Sequence, residues 1–153
     1  MYTNQYRDVF TTFGYGFHTS KAAATLPATT TASLFTIATG RVLVTLLMGE
    51  ITTVNSATAT NAKLLINPTT GTSGEIATDV AVASLEAGTI YLVEGDGSAL
   101  VAVSAGGSYL AVHVPIVVPI GTIDLETSAT NTGAAKWDIW YFPLDEGATV
   151  VSA

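Results

Sequence analysis

The chain has 153 residues, the length of one domain, and can bury a core without a disulfide or metal staple. It has no cysteine, which excludes disulfides, thiolate zinc sites and cysteine nucleophiles. Charged residues are 11% of the total, the net charge is −7, and the five basic residues are scattered, so no nucleic-acid partner is expected.

The missing charge is replaced by Thr, Ala, Ser and Gly. Such side chains lose little rotamer entropy on ordering, and this surface suits an extracellular or viral β-protein. The most apolar run, Val42 to Met48, lies between Arg41 and Glu50. It is far short of the roughly 20 residues of a spanning helix, so no membrane partner is expected. Met1 to Ser20 mixes polar and aromatic residues and does not read as a secretory signal. Release inside an assembled particle is consistent with that.

The aromatic residues concentrate at the start. Tyr2, Tyr6, Phe10, Phe13 and Phe17 recur at spacings of three and four, a helical stripe that Gly14 and Gly16 would end. The alternative is an extended arm, because Thr11, Thr12 and the aromatics also suit β structure. These five residues are the candidate interface. They pack either on the chain's own body or on a neighbouring subunit. Thr19 to Ser33 has no apolar period and reads as an Ala/Thr-rich strap that could reach about 50 Å when extended.

From Leu34 the pattern is β. Leu34–Ala38 is a short strand, and Arg41–Thr53 is apolar on both faces, which predicts a central strand covered on both sides. Lys63–Ile66 runs into the turn Asn67-Pro68-Thr69-Thr70-Gly71. Ile76, Val80 and Val82 alternate with smaller or polar residues. Thr89–Glu94 and Ala99–Val103 flank Gly95-Asp96-Gly97, a hairpin signal. Pro115 and Pro119 make His113–Val118 an edge strand or bulge. Gly121–Thr127 puts Ile123 and Leu125 inside, with Asp124 and Glu126 on the wet face. Lys136–Phe142 alternates Trp137, Ile139 and Tyr141 against Asp138, Trp140 and Phe142. Val150 and Val151 add a last strand. The expected fold is all-β: a single jelly-roll or β-sandwich domain of about eight to ten short strands over 34–153, with an arm and strap over 1–33.

The search for chemistry favours structural readings. Asp124 and Glu126 read as a solvated face, Glu94 and Asp96 as a hairpin turn instead of a calcium loop, and Asp145-Glu146-Gly147 as a solvated turn. The two histidines, His18 and His113, are assigned structural roles, since no G-x-S-x-G element accompanies them. No catalytic residue, cofactor or metal is expected. Trp137, Trp140 and Tyr141 could form a stacking platform for sugars if they shared one exposed face.

Ala62-Lys63-Leu64-Leu65-Ile66-Asn67-Pro68-Thr69-Thr70-Gly71-Thr72 resembles a segment of small tailed-bacteriophage virion proteins. So do Pro119-Ile120-Gly121-Thr122-Ile123-Asp124-Leu125, Thr132-Gly133 with Lys136-Trp137, and the ending Tyr141-Phe142-Pro143-Leu144-Asp145-Glu146-Gly147-Ala148-Thr149-Val150-Val151. The resemblance covers roughly Leu34 to Ala153. It implies a head decoration (capsid cement) protein: β-rich, a homotrimer, bound to the major capsid protein on the outer surface of the virion and made in the host cytoplasm. It implies no enzyme. The alternative is a phage tail or spike component, or a receptor- or glycan-binding β-sandwich module.

Overall fold

Alternation puts one face of each strand indoors, and two sheets close over that face. The computed structural model describes residues 14–108 and 114–153. Among these the strands are β1 (Phe17–Thr25), β2 (Thr31–Ala38), β3 (Val42–Thr53), β4 (Asn61–Pro68), β5 (Gly74–Ala81) and β6 (Ile90–Leu92). They continue with β7 (Val101–Val103), β8 (Ile116–Val118), β9 (Gly121–Thr127), β10 (Ala134–Pro143) and β11 (Thr149–Ser152).

The first sheet runs β1-β10-β3-β6-β7, with β8 also on β3; the second runs β11-β2-β9-β4-β5. All these ladders are antiparallel. The pairs nest: β1 with β10, β2 with β9, β3 with β6 and β8, β4 with β5. The chain is thus one long hairpin wound around a common core, which is the jelly roll. The expected all-β sandwich is the observed fold.

The inner faces supply the core: Phe35, Ile37, Leu64, Ile123 and Leu125 from the second sheet, and Val42, Val44, Leu47, Ile51, Trp137 and Ile139 from the first. Gly49 sits at its centre, opposite Trp137 on one side and Tyr91 on the other. With no side chain there, the Trp137 ring lies over the glycine and stacks on Tyr91, centroids 5.7 Å apart and planes 12° from parallel.

Three sequence expectations are corrected. First, β3 is central, but its inward set is not the one that simple alternation over Arg41–Thr53 gives. Register with β10 skips Thr45, between Leu46↔Trp140 and Val44↔Tyr141. This bulge switches the inward set from Val42 and Val44 to Leu47, Gly49 and Ile51. The Thr45 hydroxyl donates to the Trp140 carbonyl at 3.3 Å, which fixes the bulge.

Second, the strap is structured: most of β1 and the start of β2 fall in Thr19 to Ser33, so the sandwich begins before Leu34. β1 lacks an apolar period because it is an edge strand held by its ladder to β10 and by a seam to the second sheet. In that seam the Thr19 hydroxyl donates to the Val150 carbonyl (3.0 Å) and Lys21 Nζ to the Ala153 carbonyl (2.6 Å). At the opposite seam, Thr78 of β5 bonds through its backbone to Ser98 and Leu100.

Third, Asp124 is not on a wet face. It points away from the core, as the alternation says, but retains 5% exposure between Ser33 and Leu65. Of the arm residues, Tyr2, Tyr6, Phe10 and Phe13 lie outside the described residues. Phe17 opens β1 and is half-exposed, its ring tilted against Tyr141.

A Cβ at Gly49 would fall 2.8–3.0 Å from three Trp137 ring carbons. Gly49→Ala is therefore expected to cost about 1–3 kcal/mol in urea unfolding. Gly74→Ala is the control, because a Cβ there meets nothing within 4 Å and the midpoint should barely move.

Candidate functional site

Three surfaces gather side chains that sequence alone did not connect. The first is the outer face of the first sheet. The β1–β10 register sets Ser20 opposite Asp138 and His18 opposite Trp140. His18 Nε2 lies 2.7 Å from Asp138 Oδ1, Ser20 Oγ donates to the same oxygen at 2.7 Å, and Ser20 Oγ is 3.3 Å from His18 Nε2. The His18 ring stacks on Trp140 at 4.4 Å. Serine, histidine and aspartate meet here without the geometry of a catalytic triad. Both oxygens address one ring nitrogen, and the serine proton goes to the carboxylate. The cluster anchors an edge strand. His18 therefore belongs to β1 and not to the arm, while His113 lies outside the described residues.

The second surface is the end formed by the β1–β2, β3–β4, β5–β6 and β9–β10 connections. Asn131 ties two of them, β3–β4 and β9–β10. Its Oδ1 accepts from the N–H groups of Ser56 (2.9 Å) and Gly133 (3.0 Å), and its Nδ2 donates to the Ser56 carbonyl and the Thr60 hydroxyl, each at 3.3 Å. Buried Asn55 donates to the Val82 carbonyl at 2.7 Å and reaches Tyr91 Oη at 3.4 Å. Burial pushes the Tyr91 hydroxyl up to about 12. A shallow depression of about 360 Å³ beside this end is lined by Thr29, Thr30, Thr31, Glu126, Thr127 and Ser128.

The third surface is the opposite end. Arg41 and Asp145 form a two-pronged pair, Nε to Oδ2 at 2.9 Å and Nη2 to Oδ1 at 2.8 Å, and the Arg41 backbone N–H adds 2.7 Å to Oδ2. The side-chain bonds from Arg41 come first in holding the Asp145 carboxyl well below the usual range. Asp145 is thus a clamp between the β2–β3 and β10–β11 turns, where a merely solvated turn was expected. A groove of about 290 Å³ beside it is lined by Arg41, Thr69, Thr70, Pro119 and Ile120. Ile120 and Leu144 are 41% and 46% exposed. The Leu144 N–H bonds to the Arg41 carbonyl, and the Ile120 carbonyl accepts from Thr69. Both apolar side chains therefore flank one ion pair. Val117, on the strand entering Pro119, is also exposed.

The remaining acidic residues resolve simply. Asp96 accepts from the Ser98 N–H at 2.9 Å, and Ser98 donates to Glu94 at 3.1 Å, as a turn requires. The Ser98 hydroxyl and N–H hold the Asp96 carboxyl below its usual value. Glu126 pairs with Lys63 at 3.3 Å, and Lys63 also reaches Glu75 at 2.9 Å. The sugar platform is split. Trp137 and Tyr141 face the core, and only Trp140 faces outward, with His18 across its ring. No family model matches the chain, and no curated protein or solved structure matches it.

Two acids should behave oppositely on amidation. The folded state depresses the Asp145 pKa, so its stabilisation is present above the unfolded value of about 3.9 and is lost as pH falls through the folded one. Asp145→Asn should lower stability at neutral pH and flatten the loss of melting temperature below about pH 4, as read by calorimetry across pH. Asp124 Oδ1 has no hydrogen-bond partner. Asp124→Asn is expected to leave stability unchanged or raise it by about 1 kcal/mol, measured by urea unfolding.

Proposed function

We propose that this protein is a structural virion protein that binds the outer surface of a bacteriophage capsid as a homotrimer and cements the shell. The observation that carries the reading is the end built by Ile120, Leu144 and Pro119 around the Arg41–Asp145 pair. Its chemistry is that of a protein contact: exposed aliphatic side chains around a fixed, planar, charge-neutral fork. The groove there is shallow and open, and an exposed apolar rim of this kind suits a protein surface.

Three further features support the reading. The jelly roll is a rigid body whose two ends are separate loop clusters, so one end can dock while the other stays exposed. The Thr- and Ser-rich, weakly charged exterior limits non-specific adhesion between particles. The turn motifs around Pro68 and Pro119 that resemble phage virion proteins fall at this same end. Binding the assembled shell and not its free subunits would stabilise it by mass action, and many copies on one particle would add.

The test is co-sedimentation with expanded, DNA-free shells of the encoding phage. Wild-type protein should pellet with shells and raise their disruption temperature. Ile120→Asp combined with Leu144→Asp, both exposed and so tolerated by the fold, should reduce shell affinity at least about tenfold, a loss of roughly 1.4 kcal/mol. Wild-type protein that stays in the supernatant at saturating shell concentration would refute the assignment.

A further inference from the structure

We propose that the outer edge of β1 is an open template that takes an extended segment of the shell protein as an added strand. This rests on the reading that the protein binds capsid shells.

The sheet margins are not alike. Those of the second sheet are occupied. Thr19 bonds to the Val150 carbonyl and Lys21 to that of Ala153, while Thr78 of β5 exchanges backbone bonds with Ser98 and Leu100. In the first sheet β7 and β8 each end after three residues. β1 runs for nine, has a ladder to β10 alone, and carries nothing on its other side among the described residues. It shows few of the devices that blunt an edge. It has no proline, and the ammonium of Lys21 is turned away onto Ala153. Only the register shift between Lys21 and Ala24 interrupts it.

The register fixes which backbone groups are bare. The Val93 N–H bonds to the Leu47 carbonyl, so Leu47 faces β6, and Ile139, opposite Leu47, faces β1. Ile139 is paired with Thr19. Thr19 therefore directs its N–H and carbonyl to β10, and His18 and Ser20 direct theirs outward. The Trp140 carbonyl, opposite His18, agrees: it faces β3, where Thr45 donates to it. The bare groups are held from both sides. On the outer face Ser20 donates to Asp138, and His18 bonds to Asp138 and stacks on Trp140. On the inner face Thr19 and Lys21 make the seam to the second sheet. A strand fixed in this way loses little further freedom when it is paired.

Position and chemistry point to the shell protein. Where Phe17 opens β1, β10 has reached Tyr141, and Leu144 of the docking end lies three residues on, about 10 Å away. The open edge thus continues from the Ile120–Leu144 surface. Pairing β1 of one copy with β1 of another would be isologous and close at two chains, a contact that a homotrimer does not use. An extended coat segment needs only backbone groups in phase with His18 and Ser20, and an apolar side chain to cover Phe17, which is 51% exposed beside Tyr141.

Binding is measured on expanded, DNA-free shells of the encoding phage. Ser20→Pro removes an outward N–H without touching the ladder to β10, and Ser20→Ala removes only the hydroxyl bond to Asp138. Ser20→Ala should bind shells as wild type does, and Ser20→Pro at least about tenfold more weakly, with similar melting temperatures. In the unsubstituted protein, hydrogen exchange at the His18 and Ser20 amides should be fast in solution and slow at least about tenfold on shells, a readout that holds even where Ser20→Pro fails to fold. Equal shell binding by the two variants, or unchanged exchange at these amides, overturns the proposal and leaves the capsid assignment intact. Protection that grows with protein concentration in the absence of shells gives the edge to a second copy and also overturns it. Wild-type protein that never pellets with shells overturns both.

Discussion

The sandwich is organised around one glycine. At Gly49 the middle strand of the first sheet has no side chain, and the Trp137 ring occupies that space and stacks on Tyr91. Two packed sheets stand about 10 Å apart, so an indole must find a gap in the facing or adjoining strand. Here the gap is in its own sheet. The arrangement locks β10, β3 and β6 in one register, because a slip by a single residue would drive the ring into Met48 or Glu50. The rest of the first sheet hangs from those three strands: β1 on β10, β8 on β3, β7 on β6.

The nested topology explains why the loop clusters are so different. One end is knit by Asn55, Asn131 and Thr60, whose amides and hydroxyl replace the apolar packing that ends at the last turn of the core. The other is held by a charged fork with a few backbone hydrogen bonds and leaves aliphatic side chains in water. Amide networks buried under loops stiffen them. A surface fork fixes geometry with less rigidity, which suits a place where another surface must fit.

Most of the strands were legible because alternation is a local signal. β10 reads directly, with Trp137, Ile139 and Tyr141 indoors and Asp138 and Trp140 outdoors. What escaped depended on pairing between distant residues. The bulge at Thr45 puts Val42 and Val44 on the same face as Leu47 and Ile51, a grouping that periodicity alone splits between two faces. β1 carries no apolar period, since a ladder and two seam hydrogen bonds hold it in place. The His18–Asp138–Ser20 cluster joins residues 118 and 120 positions apart, and no spacing rule reaches that far. Arg41 and Asp145 meet for the same reason, 104 positions apart. Asp124 shows the converse: alternation gives its face but not its burial, because neighbouring strands decide how much water an outward residue sees.

The side-chain seams have a consequence for association between copies. A sheet normally ends in a row of bare amide and carbonyl groups, which can recruit a neighbour's strand and grow without limit. Here the second sheet is closed at both margins, by Thr19 and Lys21 reaching to Val150 of β11 and to Ala153 just past it, and by Ser98 and Leu100 lying on β5. A neighbouring molecule would thus meet those two margins through side chains and not through a bare row of backbone groups, which blocks strand addition there.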